Sequence, residues 1–390
     1  MKNPNFIKMS VNRKAISDHT QKPKVFDKPF LTIVVVVFVI AAIIFIESQK
    51  PDLSQAKASN QEKTEKNLNY PRAPDFIGIE KWINSEPLKI EQLRGKVVLV
   101  DFWTYTCINC IRTLPYLKEW DKKYRDKGLV IVGVHTPEFE FEKKYENVLK
   151  AVNDYQLKYP VAQDNNYATW SIYQNRYWPH KYLIDVDGYI RYDYIGEGNY
   201  DETEKMIQLL LKERMGRLNQ KNGVELEISK PKEAIEVNFS GVNTPEIYFG
   251  YQFDRGNLGY NGLKPDSFVD FNFPLKPFKN FIYLEGKWKY NADNMELVSD
   301  EGSILLIFDA KNVNIVAGSE NSSEAFIFLN NEFENEKNKG SDVVVKDNKS
   351  VLGIQEFKLY NLASAESYGE HIISIDVAGK GFKIYTFTFG

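Results

Sequence analysis

Cysteine is almost absent from this chain, with two among 390 residues. Two thiols cannot staple a small domain, so a structural disulfide framework is excluded. Histidine is nearly as scarce: His19, His135, His180 and His371 are the whole complement, which leaves few ligands for a metal centre. Neither sign of charge dominates. A net charge of −3 provides no basic footprint for nucleic acid. No internal repeat is visible, and only one long apolar run occurs. The chain exceeds a typical domain and predicts two globular units.

The apolar run is Phe30 to Ile46, 17 uncharged residues, the short end of what spans a bilayer as a helix. A cleaved signal peptide is the rival reading, but its apolar core is usually about 7–15 residues and a small-x-small site follows it. Here Glu47-Ser48-Gln49-Lys50-Pro51 follows. Lysine and arginine outnumber acids before the run, so the positive-inside rule leaves the N-terminus in the cytoplasm. The expectation is a single-pass cell-membrane protein with everything beyond Ile46 extracytoplasmic.

The predicted organisation is a cytoplasmic basic tail (1–29), an anchor (30–46), a flexible polar linker (47–70), an α/β domain (71–215), a second linker (216–233) and a β-sandwich (234–390). Within the α/β domain, Val97 to Trp103 and Leu129 to Val134 read as buried strands. Ile111, Leu114, Leu117 and Trp120 recur at helical spacing, and a second helix is expected over 141–159. Tyr182 to Tyr192 reads as a hairpin around Asp187-Gly188, and a last helix runs from about Asp201 to Met215. Strands alternating with helices, then a hairpin, predict a mixed sheet. Beyond residue 233 helical periodicity gives way to short aromatic and β-branched runs between Gly, Asn and Asp turns, the pattern of an all-β sandwich.

Both cysteines fall in Trp103-Thr104-Tyr105-Thr106-Cys107-Ile108-Asn109-Cys110, directly after the first buried strand. On a helix starting there, residues three apart share a face, with Cβ atoms about 5–6 Å apart. A disulfide needs about 3.5–4.5 Å, a gap that small adjustments close. The first thiol then sits at a helix N-terminus, where free N–H groups and the macrodipole favour a thiolate. This is the arrangement of a reversible redox pair. Metal is the chemical rival: zinc wants four ligands, which His135 and His180 with the two thiols would complete, and copper is a related option. A peroxidatic cysteine is disfavoured, because its usual upstream proline is lacking.

Strand, Trp-x-x-x-Cys-x-x-Cys, helix with Pro115 inside it, and a later strand opened by Pro179 together resemble the thioredoxin superfamily. Thr104 to Cys110, His135-Thr136-Pro137-Glu138-Phe139 and Tyr177-Trp178-Pro179 further resemble its TlpA-like branch and the soluble part of DipZ-type proteins. The resemblance implies a thioredoxin-like fold followed by a carbohydrate-binding-module-like jelly roll. It implies Cys107 as attacking thiolate, Cys110 as resolving thiol, Asp101 as the buried carboxylate that takes the Cys110 proton, and Pro179 as a cis-proline. Trp103, Ile108, Asn109 and Trp178 are the residues expected to meet substrate. No cofactor or resident metal is implied. The implied partners are exported proteins with disulfides, a membrane electron donor of the CcdA type and, for the β domain, a candidate glycan. Thr113 stands where cytochrome-maturing relatives often carry Glu, and Ile108-Asn109 differs from the Gly-Pro of thioredoxin, so the direction of electron flow is left open. The alternative is a surface-binding protein whose β domain dominates and whose thiols hold copper or zinc.

Overall fold

The computed structural model describes residues 70–220 and 223–390. The apolar run at 30–46 lies outside them. Among the described residues no helix is long and apolar enough to cross a membrane.

The first domain is built on six strands: β1 (Lys81–Ile83), β2 (Val97–Trp103), β3 (Leu129–His135), β4 (Val161–Gln163), β5 (His180–Ile184) and β6 (Ile190–Ile195). Their order is β1-β4-β3-β2-β5-β6. β2, β3 and β4 run parallel, whereas β1, β5 and β6 are antiparallel to their neighbours. The sheet is therefore mixed, as expected. All seven residues of β2 are buried because strands flank it on both edges and side chains cover both faces. A centrally placed strand of this kind reads as a continuous apolar run.

Four helices accompany the sheet: α1 (Ile108–Tyr124), α2 (Tyr145–Asp154), α3 (Ala168–Ile172) and α4 (Tyr200–Arg217). α1 buries Leu114, Leu117 and Trp120, carries Pro115 inside it, and hands over to a short 3₁₀ turn that closes at Gly128, where φ is 104°. The single helix expected over 141–159 is divided. Lys144 is extended, which separates a 3₁₀ turn over Glu140–Lys143 from α2. Gln156, at φ 57°, then ends the helical run, and Tyr159 belongs to the core. The Asp187-Gly188 turn joins β5 to β6, with Gly188 at φ 78°.

The second domain is all β. Its strands are β7 (Ile247–Tyr248), β8 (Phe268–Phe271), β9 (Ile282–Tyr290), β10 (Met295–Asp309), β11 (Asn312–Ser319), β12 (Ser323–Leu329), β13 (Glu332–Phe333), β14 (Val344–Lys346), β15 (Lys349–Ile354), β16 (Lys358–Ser364), β17 (Glu370–Ala378) and β18 (Phe382–Phe389). β9 is not apparent from sequence because Gly286 interrupts it. The strand runs through that residue at φ 97°, opposite a shift in register on β10. Trp288 is fully buried and donates its indole N–H to the Glu285 carbonyl, so this ring belongs to the core.

Both domains lie in one compact unit. Tyr248, Val316 and Tyr385 of the β domain join the same apolar cluster as Trp103, Leu114 and Phe139. The ring of Tyr385 lies 5.0 Å from Phe139 and 4.7 Å from Phe141. The segment over 216–233 leans on the first domain: Ser229 donates to Glu204, and Lys118 pairs with Glu233 at 2.9 Å.

Candidate active site

β2 and β3 end side by side, with Trp103 opposite His135 in register. The chain leaving β2 turns through Thr104 to Thr106 and enters α1 with Cys107 as its N-cap. The Cys107 sulfur accepts the Cys110 backbone N–H at 3.3 Å, which satisfies one of the helix's free donors. Cys107 is half-buried and Cys110 buried, and neither is in a disulfide. Burial pushes the Cys110 thiol well up, reinforced by Cys107 and by the charge of Asp101. A thiol so placed is held protonated until something takes its proton.

Asp101 sits at the sequence offset expected of that proton acceptor. It is 1 % exposed, and among the described residues its Oδ1 has no hydrogen-bond partner. Burial pushes its carboxyl up to about 7, and Lys181 pulls in the opposite direction. Lys181, wholly buried, donates to the Gly196 carbonyl at 3.0 Å. Burial lowers its pKa, while Asp101 and Cys110 work to raise it.

The Trp178–Pro179 peptide bond is cis. Trp178 is half-buried, donates its indole N–H to the Thr136 carbonyl at 3.1 Å, and packs on Trp170 at 4.3 Å. Among the described residues its main-chain N–H and C=O have no hydrogen-bond partner. β5 thus carries this segment to the end of the sheet where β2 delivers Cys107. Ile108 and Asn109 are half-buried on the first turn of α1.

Trp103, expected at the substrate surface, is not there. Its side chain is fully buried, lies edge-on to His135 at 5.4 Å, and sits where any side chain on Gly133 would collide with it. Strand alternation sends it into the core, away from the cysteines' open side. His135 is also buried; burial lowers its pKa to about 3, and its Nε2 lies 3.3 Å from the Thr104 hydroxyl. His180 is held by Asn175 at 2.6 Å and Asp193 at 2.9 Å. Among the described residues no group of three or more His, Cys, Asp or Glu side chains is placed to hold a metal ion.

Two residues that sequence reasoning passed over belong to the site. Lys181 is one, since a lysine in a strand reads as a solvent-facing residue. Glu142 is the other. It is completely buried, accepts the Thr106 hydroxyl at 2.5 Å, and accepts the N–H groups of Glu138 and Phe139 at 2.5 and 3.0 Å. It thereby ties the residue preceding Cys107 to the loop that meets the β domain. Burial raises its pKa, while the hydroxyls of Thr104 and Thr106 counteract the shift. Across the loop, Tyr105 donates to the Phe357 carbonyl of the β domain at 3.4 Å.

The geometry is that of a thioredoxin-like redox domain seated on an all-β partner. Residues 95–190 match the family model described as thioredoxin-like, and 244–390 match one described as thioredoxin like C-terminal domain. ResA, a thiol–disulfide oxidoreductase of Bacillus cereus, is 31% identical over 136 residues, 35% of this chain and 75% of that protein. YkuV, a thiol–disulfide oxidoreductase of Bacillus subtilis, is 26% identical over 140 residues, 36% of this chain and 94% of that protein. The chain belongs to the thioredoxin-like family of thiol–disulfide oxidoreductases. Its similarity extends through both domains to DipZ of Mycobacterium bovis, 34% identical over 323 residues, or 82% of this chain. The chain spans 43% of that protein's length.

Proposed function

We propose that this protein is a membrane-anchored, extracytoplasmic thiol–disulfide oxidoreductase that reduces or exchanges disulfides in exported proteins. The observation that carries the reading is the half-buried Cys107 at the head of α1 with Cys110 buried behind it near Asp101. In the reducing direction the Cys107 thiolate attacks one client sulfur, forms a mixed disulfide and expels the other sulfur as a thiolate. Asp101 takes the Cys110 proton. The Cys110 thiolate then attacks Cys107 Sγ, closes the Cys107–Cys110 bond and expels the second client thiolate. Two electrons pass to the client, and a separate membrane dithiol carrier of the CcdA type returns them.

Titration of the full-length chain against dithiothreitol buffers tests the chemistry. A reversible two-electron transition, with mixed disulfides accumulating on Cys110→Ser, is the expected outcome. No transition and no trapped adduct would sink it. Location is tested separately: a membrane-impermeant maleimide should label Cys107 in intact cells, and labelling only after permeabilisation would reject the extracytoplasmic placement.

A further inference from the structure

Between the two domains lies a cleft of about 710 Å³ that opens beside the redox pair. One wall is Ile108 and Ile111 of α1 with Ala151 of α2 and Tyr155 just after it; the other is Phe357 and Leu359 of the β domain. Ile108 stands between the two cysteines in sequence, so the wall of the cleft begins one residue from Cys107. The cleft is preformed. The Lys150–Glu356 ion pair spans it at 3.2 Å, and Phe357 packs on Phe141 at 5.3 Å within the core that both domains share. The charges along it are paired, Lys358 with Asp342 and Lys150 with Asp154 and Glu356, so a strongly charged ligand is not selected. Its volume falls in the range of roughly 300–1,000 Å³ that takes a small ligand, or a few residues of chain, and not a folded domain.

One wall presents main chain. β16 is the terminal strand of its sheet: besides β11, only the segment over 338–342 meets it, from Asn361 to Ser364, through a bridge between Lys339 and Ala363 and the Gly340 N–H donating to the Leu362 carbonyl. Asn361 turns its N–H and C=O outward, to Asp342 Oδ2 at 2.9 Å and the Asp342 N–H at 3.4 Å. The ladder is regular from Lys358 to Asn361, so alternation aims the N–H and C=O of Leu359 outward too. Among the described residues neither group makes a hydrogen bond outside the β11–β16 ladder. An open strand edge recognises an extended polypeptide by strand addition.

We propose that the cleft binds an extended, cysteine-bearing segment of the client polypeptide by pairing its main chain with the Leu359 edge of β16. The proposal rests on the redox reading above and makes the β domain half of the substrate site. Apolar side chains flanking the client cysteine fill the space between Ile108 and Leu359, and the strand pairing fixes which sulfur meets Cys107.

Equilibrium binding separates this from the chemistry. The probe is a fluorescent ten-residue peptide of alternating Leu and Ser, with Ser in place of the cysteine, titrated with the full-length chain. N-methylation of the amides on one edge of the peptide should weaken binding at least tenfold, and N-methylation of the other edge should not. Leu359→Pro, which removes the wall's N–H, should weaken the unmodified peptide to the same degree. The unaltered, pre-reduced chain should react in a single turnover with 5,5′-dithiobis(2-nitrobenzoate), a disulfide that has no main chain. Failure of the unmodified peptide to bind, or equal binding of both methylated peptides, would overturn the proposal, and this readout on the unaltered chain stands even if Leu359→Pro fails to fold. Failure of the small disulfide to react overturns the redox reading instead.

Discussion

Asp101 and Lys181 are register partners on β2 and β5, and both side chains are buried. A carboxyl and an ammonium so placed trade protonation: each holds the other nearer its charged form, while burial pushes both toward neutral. The pair lies near Cys110, whose proton must leave before the mixed disulfide resolves.

Resolution should therefore accelerate as pH rises through about 7, where Asp101 becomes able to accept a proton. Asp101→Asn should lose this limb of the pH profile and slow resolution roughly 100-fold, within the usual reach of general base catalysis. Quenched-flow decay of a preformed mixed disulfide measures it. An unchanged profile would remove Asp101 from the mechanism.

The same carboxyl bears on stability with a definite sign. Burial raises its carboxyl from the ordinary 3.8 to about 7 in the folded protein, so between these pH values the folded protein holds a proton that the unfolded chain has lost. Stability on this account falls as pH rises from about 4 to 7. Asp101→Asn should consequently stabilise the protein at pH 8 by an amount on the order of a few kcal/mol, and much less at pH 4. Denaturant unfolding at the two pH values is the check.

Lys181→Met removes the cation that pulls the Asp101 carboxyl down. The pH limb of resolution should move above 7, and Lys181→Arg should return it toward the wild-type position. A limb that stays in place with Met would mean that the two groups do not communicate.

Phe141 packs against Tyr385 and Phe357, so it belongs to the surface that makes the two domains one unit. Phe141→Ala should cost about 3–5 kcal/mol and split thermal unfolding into two transitions. Calorimetry would show it, and a single transition at the original temperature would refute the coupling.

How much of the site was legible follows from the range over which each signal acts. The cysteines, the helix they open, the Asp187-Gly188 turn and the offset of Asp101 are written within a few residues of one another. Glu142 was not legible, because its partners Thr106 and Glu138 come together only when the loop after β3 folds back on the loop after β2. Trp103 misled for the opposite reason. Proximity to the cysteines in sequence suggested substrate contact, whereas strand alternation turned the ring into the core.

By itself, then, the order of residues determined the chemistry: two thiols one helical turn apart after a buried strand, an acid six residues upstream of the first, and a proline opening a later strand. Tertiary structure decided the environment. It set a lysine beside that acid, hid one thiol and left the other half-open, and brought a second domain against the redox loop. Hydrogen bonding and side-chain periodicity act over a few residues and can be read along the chain. Burial and strand register depend on residues tens to hundreds of positions apart, and these shift proton affinities and shape a cleft.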